Sequence, residues 1–307
     1  MYIGNVPDSN HEMKSDNNET FLSTFTLEKM KTIFVPTDLS ANSTNALRYA
    51  IHLAKQADSE KIVLFHHNPQ IYTGDVPVLY MDDLNNLNSE LKQNLEKDIS
   101  RLLESMNGMN KGLVTEVIVT TEAGTITAIA EHAARSKASL IVMGTHGKTG
   151  LSRLVLGSVT AGVIEVSSVP VLTIPEGYRF KDVEQVSYAS SLHHFQKEFH
   201  LVKAFTQNLA VTVSVVHMRY PHFDNNYIAQ ARHVLVEDKE TQTKLDVIDT
   251  PPETKLVDQL VVYMRKTSPD WLVMFPEKRD WYDKIFLSSK TLELMSEFRR
   301  PLLVLHR

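Results

Sequence analysis

The 307-residue sequence repeats itself in a fixed register. From Asp270 to Pro301 the pattern of apolar and polar residues follows Ser139 to Pro170 at a constant distance of 131 positions. Upstream the correspondence persists with shifts: Gln185–Ser190 repeats the first strand, His194–Asn208 the first helix and Val211–His217 the second strand. The offset there is 151, from His66 to His217, and it falls to 130 from Glu116 to Asp246, so the second copy is expected to be 21 residues shorter, with a brief second helix over about 226–238. A period of this length is a domain duplication, too long for a solenoid. The chain therefore has to fold as two similar units in tandem.

Each unit alternates strands and helices. Lys31–Asp38 predicts a strand with Ile33, Phe34 and Val35 buried, and Asn42–Gln56 a helix capped by Ser40 or Asn42. Strands are expected at Lys61–His67, Leu113–Thr120, Leu140–Met143 and Val171–Ile174, with helices over 82–106 and 125–136 and another opening at Ser158. The second copy continues with Lys244–Ile248 as its third strand, a helix over 255–266 and a strand at Trp271–Phe275. This rhythm is that of an α/β domain with a mostly parallel sheet. The expected division is a polar, mobile extension over 1–29, a first domain over 30–176, a linker over 177–182 and a second domain over 183–307.

The chemistry concentrates between Leu140 and Pro175. A buried strand stops at Gly144, glycines follow at 147, 150 and 157, and Ser158 opens a helix. A strand, a glycine-rich loop and a helix N-terminus together form an anion site, because free amides and the helix dipole attract negative charge and glycines let phosphate oxygens reach the backbone. From Gly144 to Ser158 there are Lys148 and Arg153 and no acid, in a chain of net charge −5. The same glycines also suit a long turn with no ligand, and both readings stand on spacing alone. Gly147-Lys148-Thr149 imitates the end of a P-loop, but Val142 stands where that motif needs its first glycine.

The spacing Gly144-x2-Gly147-x9-Gly157-Ser158, with Val35-Pro36-Thr37-Asp38-Leu39-Ser40 upstream, resembles the universal stress protein family. The resemblance covers about 30–175 well and 183–307 weakly. It implies two tandem doubly wound, Rossmann-like domains with mostly parallel five-stranded sheets ordered 3-2-1-4-5. It implies that Asp38 and His67 hold a nucleoside, while Met143, Gly144, Gly147, Gly157, Ser158 and Val159 hold ribose and phosphates. His67 is larger than the small apolar residue that packs a base most simply. The implied ligand is ATP, or ADP or AMP, with any magnesium held through the phosphates. It also implies pairing of the two domains through edge strands Val171–Ile174 and Leu302–Leu305, leaving a further homodimer open.

In the second copy Phe275, Lys278 and Ser288 replace the three glycines and Ser191 replaces Asp38, so no nucleotide is expected there. His66-His67 and His193-His194 are not expected to bind metal, since neighbours on a strand point to opposite faces. Asp38 is the one carboxylate placed in the crevice, which leaves catalysis little support beyond slow hydrolysis of ATP. The acidic balance argues against nucleic acid as a partner, and no apolar run approaches the roughly 18 residues of a membrane span. With no cysteine and no secretory leader pattern, the expected location is cytoplasmic. The expected function is that of an ATP-binding stress or regulatory protein; a nucleotide-free interaction scaffold and a weak ATPase are the alternatives.

Overall fold

A computed structural model of the protein describes residues 29–68, 81–106, 112–122, 124–145, 157–238, 243–276 and 299–307. The first half contains β1 (Thr32–Thr37), α1 (Ala41–Gln56), β2 (Lys61–His67), α2 (Met81–Ser105), β3 (Val114–Thr120), α3 (Thr125–Arg135), β4 (Leu140–Gly144), α4 (Ser158–Val166) and β5 (Val171–Ile174). The second contains β6 (Gln185–Ala189), α5 (Phe195–Thr206), β7 (Thr212–Arg219), α6 (Asn225–Glu237), β8 (Lys244–Asp249), α7 (Leu256–Thr267), β9 (Trp271–Met274) and β10 (Leu302–Val304). The expected boundaries hold to within about two residues.

The described strands form one ten-stranded sheet in the order β3-β2-β1-β4-β5-β10-β9-β6-β7-β8. Each half is parallel with the order 3-2-1-4-5. The halves meet where β5 and β10 run antiparallel, with Thr173, Leu172 and Val171 opposite Leu302, Leu303 and Val304. Leu172 and Leu303 are fully buried at this seam. Two edges that would each expose unpaired amides are thereby removed together. One apolar core joins the α1 and α2 side to α5 and α6, and the other joins the α3 and α4 side to α7, so both cores run through the seam.

The duplication reaches backbone detail. Three left-handed, non-glycine conformations occur in pairs at matching turns: Leu39 with Leu192 (φ 64 and 69), Asp58 with Ala210 (φ 54 and 53), and Lys137 with Ser268 (φ 51 and 49). Such conformations are uncommon for these residue types, so their recurrence reflects turns that the same strand and helix geometry imposes twice. The sheet register corrects one alignment. Val63 pairs with Glu116, and the equivalent Ser214 pairs with Lys244, so Glu116 matches Lys244 and not Asp246. The third strand is offset by 128, and the second copy is 23 residues shorter there, not 21. A slip of two keeps every side chain on its face, which is why hydrophobic pattern could not detect it.

Candidate functional site

A proline interrupts the ladder between β1 and β4 in the first half. Lys61 donates its N–H to the Lys31 carbonyl and Ser139 to that of Thr32, so odd residues of β1 turn their amides to β2 and even residues to β4. Pro36 is even and has no N–H. Pairing of β1 with β2 runs to Thr37 opposite His66, whereas pairing with β4 ends at Phe34 opposite Ile141. Beyond that point the β1–β4 hydrogen-bond ladder is interrupted, with Asp38 and Gly144 at the carboxyl ends of the two strands. In the second half Ala189 stands in place of Pro36, and the corresponding ladder extends one pair further, to Tyr188 opposite Val273.

Gly144 is required here by packing. A Cβ at this position would lie 2.5 Å from Nδ2 and 2.8 Å from Cγ of Asn42, whose side chain is buried in the first turn of α1. Ser40, not Asn42, is the cap: its hydroxyl accepts the Ser43 N–H at 3.1 Å. Gly144→Ala should cost about 1–3 kcal/mol, the usual penalty of overpacking. Most of that should return in the double variant with Asn42→Ala. Denaturant titration of the four proteins measures the coupling, and independent losses would show that Asn42 is not the obstacle.

The loop that leaves Gly144 is pinned at both ends. Thr145 donates its N–H to Ile174 at 3.1 Å and its carbonyl accepts the Gly157 N–H at 2.7 Å, while the Thr160 hydroxyl donates to the Gly144 carbonyl at 2.9 Å. Gly157, the N-cap of α4, therefore sits against the end of β4. Among the described residues no side chain caps this helix, and its first turn contains no acid. The amides of Ser158, Val159 and Thr160 have no acceptor within the helix. Ser158 and Val159 are exposed, Val159 by 37%. Gly147 lies outside the described residues, as do His146, Lys148 and Arg153.

The remaining predicted residues take different parts. Asp38 is half-buried, and its Oδ1 accepts the Ser40 N–H at 3.1 Å, turning the chain through Leu39 into α1. The Met143 side chain is packed in the core beneath α3 and α4, so toward the crevice it has only its backbone to offer. His67 sits at the end of β2 with both ring nitrogens occupied: Nε2 donates to the Glu122 carbonyl at 2.6 Å, which leaves Nδ1 to accept from the Thr125 hydroxyl at 2.9 Å. The polar edge of the imidazole thus ties β2 to the start of α3, and a ligand could meet only its ring face or backbone. Sequence reading missed Pro36, Asn42 and Thr160. A proline inside a predicted central strand was the available signal for the first; nothing in the spacing marked the other two.

The second half has the same frame with its crevice filled. Phe275, in place of Gly144, is 8% exposed and lies edge-on to Tyr188 at 5.6 Å, and Tyr188 stacks with Phe195, which replaces Asn42. One polar device survives in both copies. His66 Nδ1 donates to the Thr37 carbonyl at 2.8 Å, and His217 Nδ1 to that of Ser190 at 2.9 Å. His217 is completely buried, with Phe223 at 4.3 Å, and burial pushes its pKa down to about 4. The unfolded chain takes up this proton near pH 6.5 and the native chain only near 4, so His217 contributes stability at neutral pH that is lost as pH falls through this window. About 2 kcal/mol should disappear between pH 7 and 5. His217→Asn keeps a donor without the titration, and denaturation at both pH values should show a correspondingly flatter dependence.

Among the described residues no three His, Asp or Glu side chains converge as a metal-binding group, and no helix is long and apolar enough to cross a membrane. The sequence model described as "Universal stress protein family" matches residues 29–175. A universal stress protein of Methanocaldococcus jannaschii is 35% identical over 144 residues, which cover 47% of this chain and 81% of that protein. The chain belongs to the universal stress protein family. A universal stress protein of Bacillus subtilis is 30% identical over 146 residues, covering 46% of this chain and 97% of that one. The tandem arrangement has its own counterpart. The crystal structure of a universal stress protein from Archaeoglobus fulgidus superposes with a TM-score of 0.67 over 91% of this chain and 97% of its own, at 18% identity, which establishes a shared fold across both halves.

Proposed function

We propose that the first universal-stress-protein half binds ATP in the crevice between Asp38 and Gly144, and that the second half binds none. The observation that carries this reading is the closure of Thr145 onto Gly157, which brings an acid-free helix start without a side-chain cap to the carboxyl end of β4. The amides of Ser158 to Thr160 hold phosphate oxygens, and Asp38 and the end of β2 at His67 border the nucleoside. The loop from Gly144 to Ser158, Gly147 included, wraps the phosphates, which bring any magnesium with them. Ligand position follows the general rule for such sheets, at the carboxyl ends of strands where their order reverses. Phe275 and its aromatic neighbours fill the equivalent space in the second half.

The protein is then a cytoplasmic regulator: nucleotide occupancy alters a surface that a partner reads. Pairing of its halves serves in place of a dimer of single domains. Identification by mass spectrometry of a nucleotide carried through native purification tests the site, as does thermal denaturation with added ATP. At 100 times Kd the ligand should add about 2.7 kcal/mol to the native state. No bound nucleotide and no shift would leave the nucleotide-free scaffold as the reading, which the fit of Asn42 against Gly144 already favours to the extent that packing alone explains that glycine.

A further inference from the structure

The linker and the second half meet at a basic groove that the site above does not use. Leaving β5, the chain turns at Pro175, whose carbonyl accepts the Tyr178 N–H at 3.1 Å, and then runs along α1. Asn45 donates to the Tyr178 carbonyl at 3.0 Å, and Phe180 lies edge-on to Tyr49 at 5.0 Å and stacked on His52 at 4.7 Å. These contacts hold the linker as one wall. Arg299 and Arg300 form the other, delivered by the pairing of Leu302 with Thr173. The groove between them has a volume of about 390 Å³, within the range of small-molecule sites.

Its charges are unbalanced. Lys181 is committed to the buried Asp270, which also accepts the N–H groups of Glu184 and Gln185. Arg179, Arg299 and Arg300 have no carboxylate partner among the described residues, and Glu176 is the sole acid lining the groove. Three arginines lining one concavity of a chain with net charge −5 oppose the overall balance. Arg299 also holds a left-handed backbone, φ 50, a conformation that costs of order 1 kcal/mol or more in a non-glycine residue. Planar forks of N–H donors match phosphate oxygens two at a time.

We infer that this seam groove is a second anion site, taking a phosphate- or pyrophosphate-bearing small molecule through Arg179, Arg299 and Arg300. It needs both halves, because Arg179 comes from the linker after β5 and the other two from the turn that leads into β10. It is separate from the phosphate loop and does not depend on that loop binding nucleotide. Inorganic pyrophosphate is the probe, titrated calorimetrically into the full chain carrying Gly157→Leu, which disables the loop. Binding should persist there, and adding Arg179→Gln, Arg299→Gln and Arg300→Gln should weaken it at least about tenfold. The charge-matched set Lys92→Gln, Lys97→Gln and Arg101→Gln on the exposed face of α2 should leave it within about twofold. No pyrophosphate binding in the Gly157→Leu protein, or equal weakening in the charge-matched control, would overturn the assignment.

Discussion

Gly157→Leu should lower ATP affinity about a hundredfold, or about 2.7 kcal/mol, in a protein that folds normally. The backbone at this position has φ −59 and ψ 145, which any L-residue adopts, so the substitution carries no intrinsic strain. The Gly157 N–H bond to Thr145 needs no change either. What changes is access. A branched side chain at the N-cap stands over the first-turn amides, and a polyphosphate can no longer approach the positive end of the helix. The lost interactions are charge-assisted hydrogen bonds worth about 1.5–3 kcal/mol each, so obstruction of one or two accounts for the effect. Gly157→Ala, with a single methyl group, should fall between the two. Calorimetric titration with ATP provides the readout and denaturation the control. An unchanged affinity in folded Gly157→Leu would remove the basis of the proposed function.

The second large effect concerns the end of the chain. Glu198 on α5 is 2% exposed and pairs with Nε of Arg307 at 3.0 Å. Its other oxygen accepts the hydroxyl of Tyr188, which in turn accepts from Ser190, whose hydroxyl takes the Leu192 N–H. Arg307→Met would leave a buried carboxylate without its cation. Removing one partner of a buried pair costs about 3–5 kcal/mol, a large part of the 5–15 kcal/mol that stabilises a typical domain. The prediction is a loss of about that size in denaturant titrations, largely restored by Glu198→Gln in the same protein. A loss under about 1 kcal/mol would show that Tyr188 and solvent suffice for the charge. The first half solves the same crossing with neutral groups. Asn45, the counterpart of Glu198, donates to the carbonyl of Tyr178 where the chain passes α1 after β5.

Much of the architecture was legible from local pattern. Strands such as Lys61–His67 and Val171–Ile174 were bounded correctly because their apolar runs end at turn residues. The two ends of the stretch from Gly144 to Ser158, a strand stopping at Gly144 and a helix opening at Ser158, were legible because glycine punctuates both. The assignment of His67 shows where this stops. Its position at the end of β2 was readable, but the hydrogen bonds that occupy its ring come from Glu122 and Thr125, 55 and 58 residues away. The two-residue error at Asp246 has the same origin, since pairing register depends on the neighbouring strand and not on the strand read alone.

Sequence alone determined the duplication, the alternation of strands and helices, the loop and the loss of its glycines in the second copy, because each is written in the order and type of neighbouring residues. Tertiary structure alone decided that the Pro36 position faces β4 and interrupts its ladder, that Asn42 fills the space above Gly144, and that three arginines line one groove at the seam. Those outcomes depend on which surfaces are pressed together in the folded chain, and contacts between residues more than a hundred positions apart leave no periodic trace in the chain that makes them.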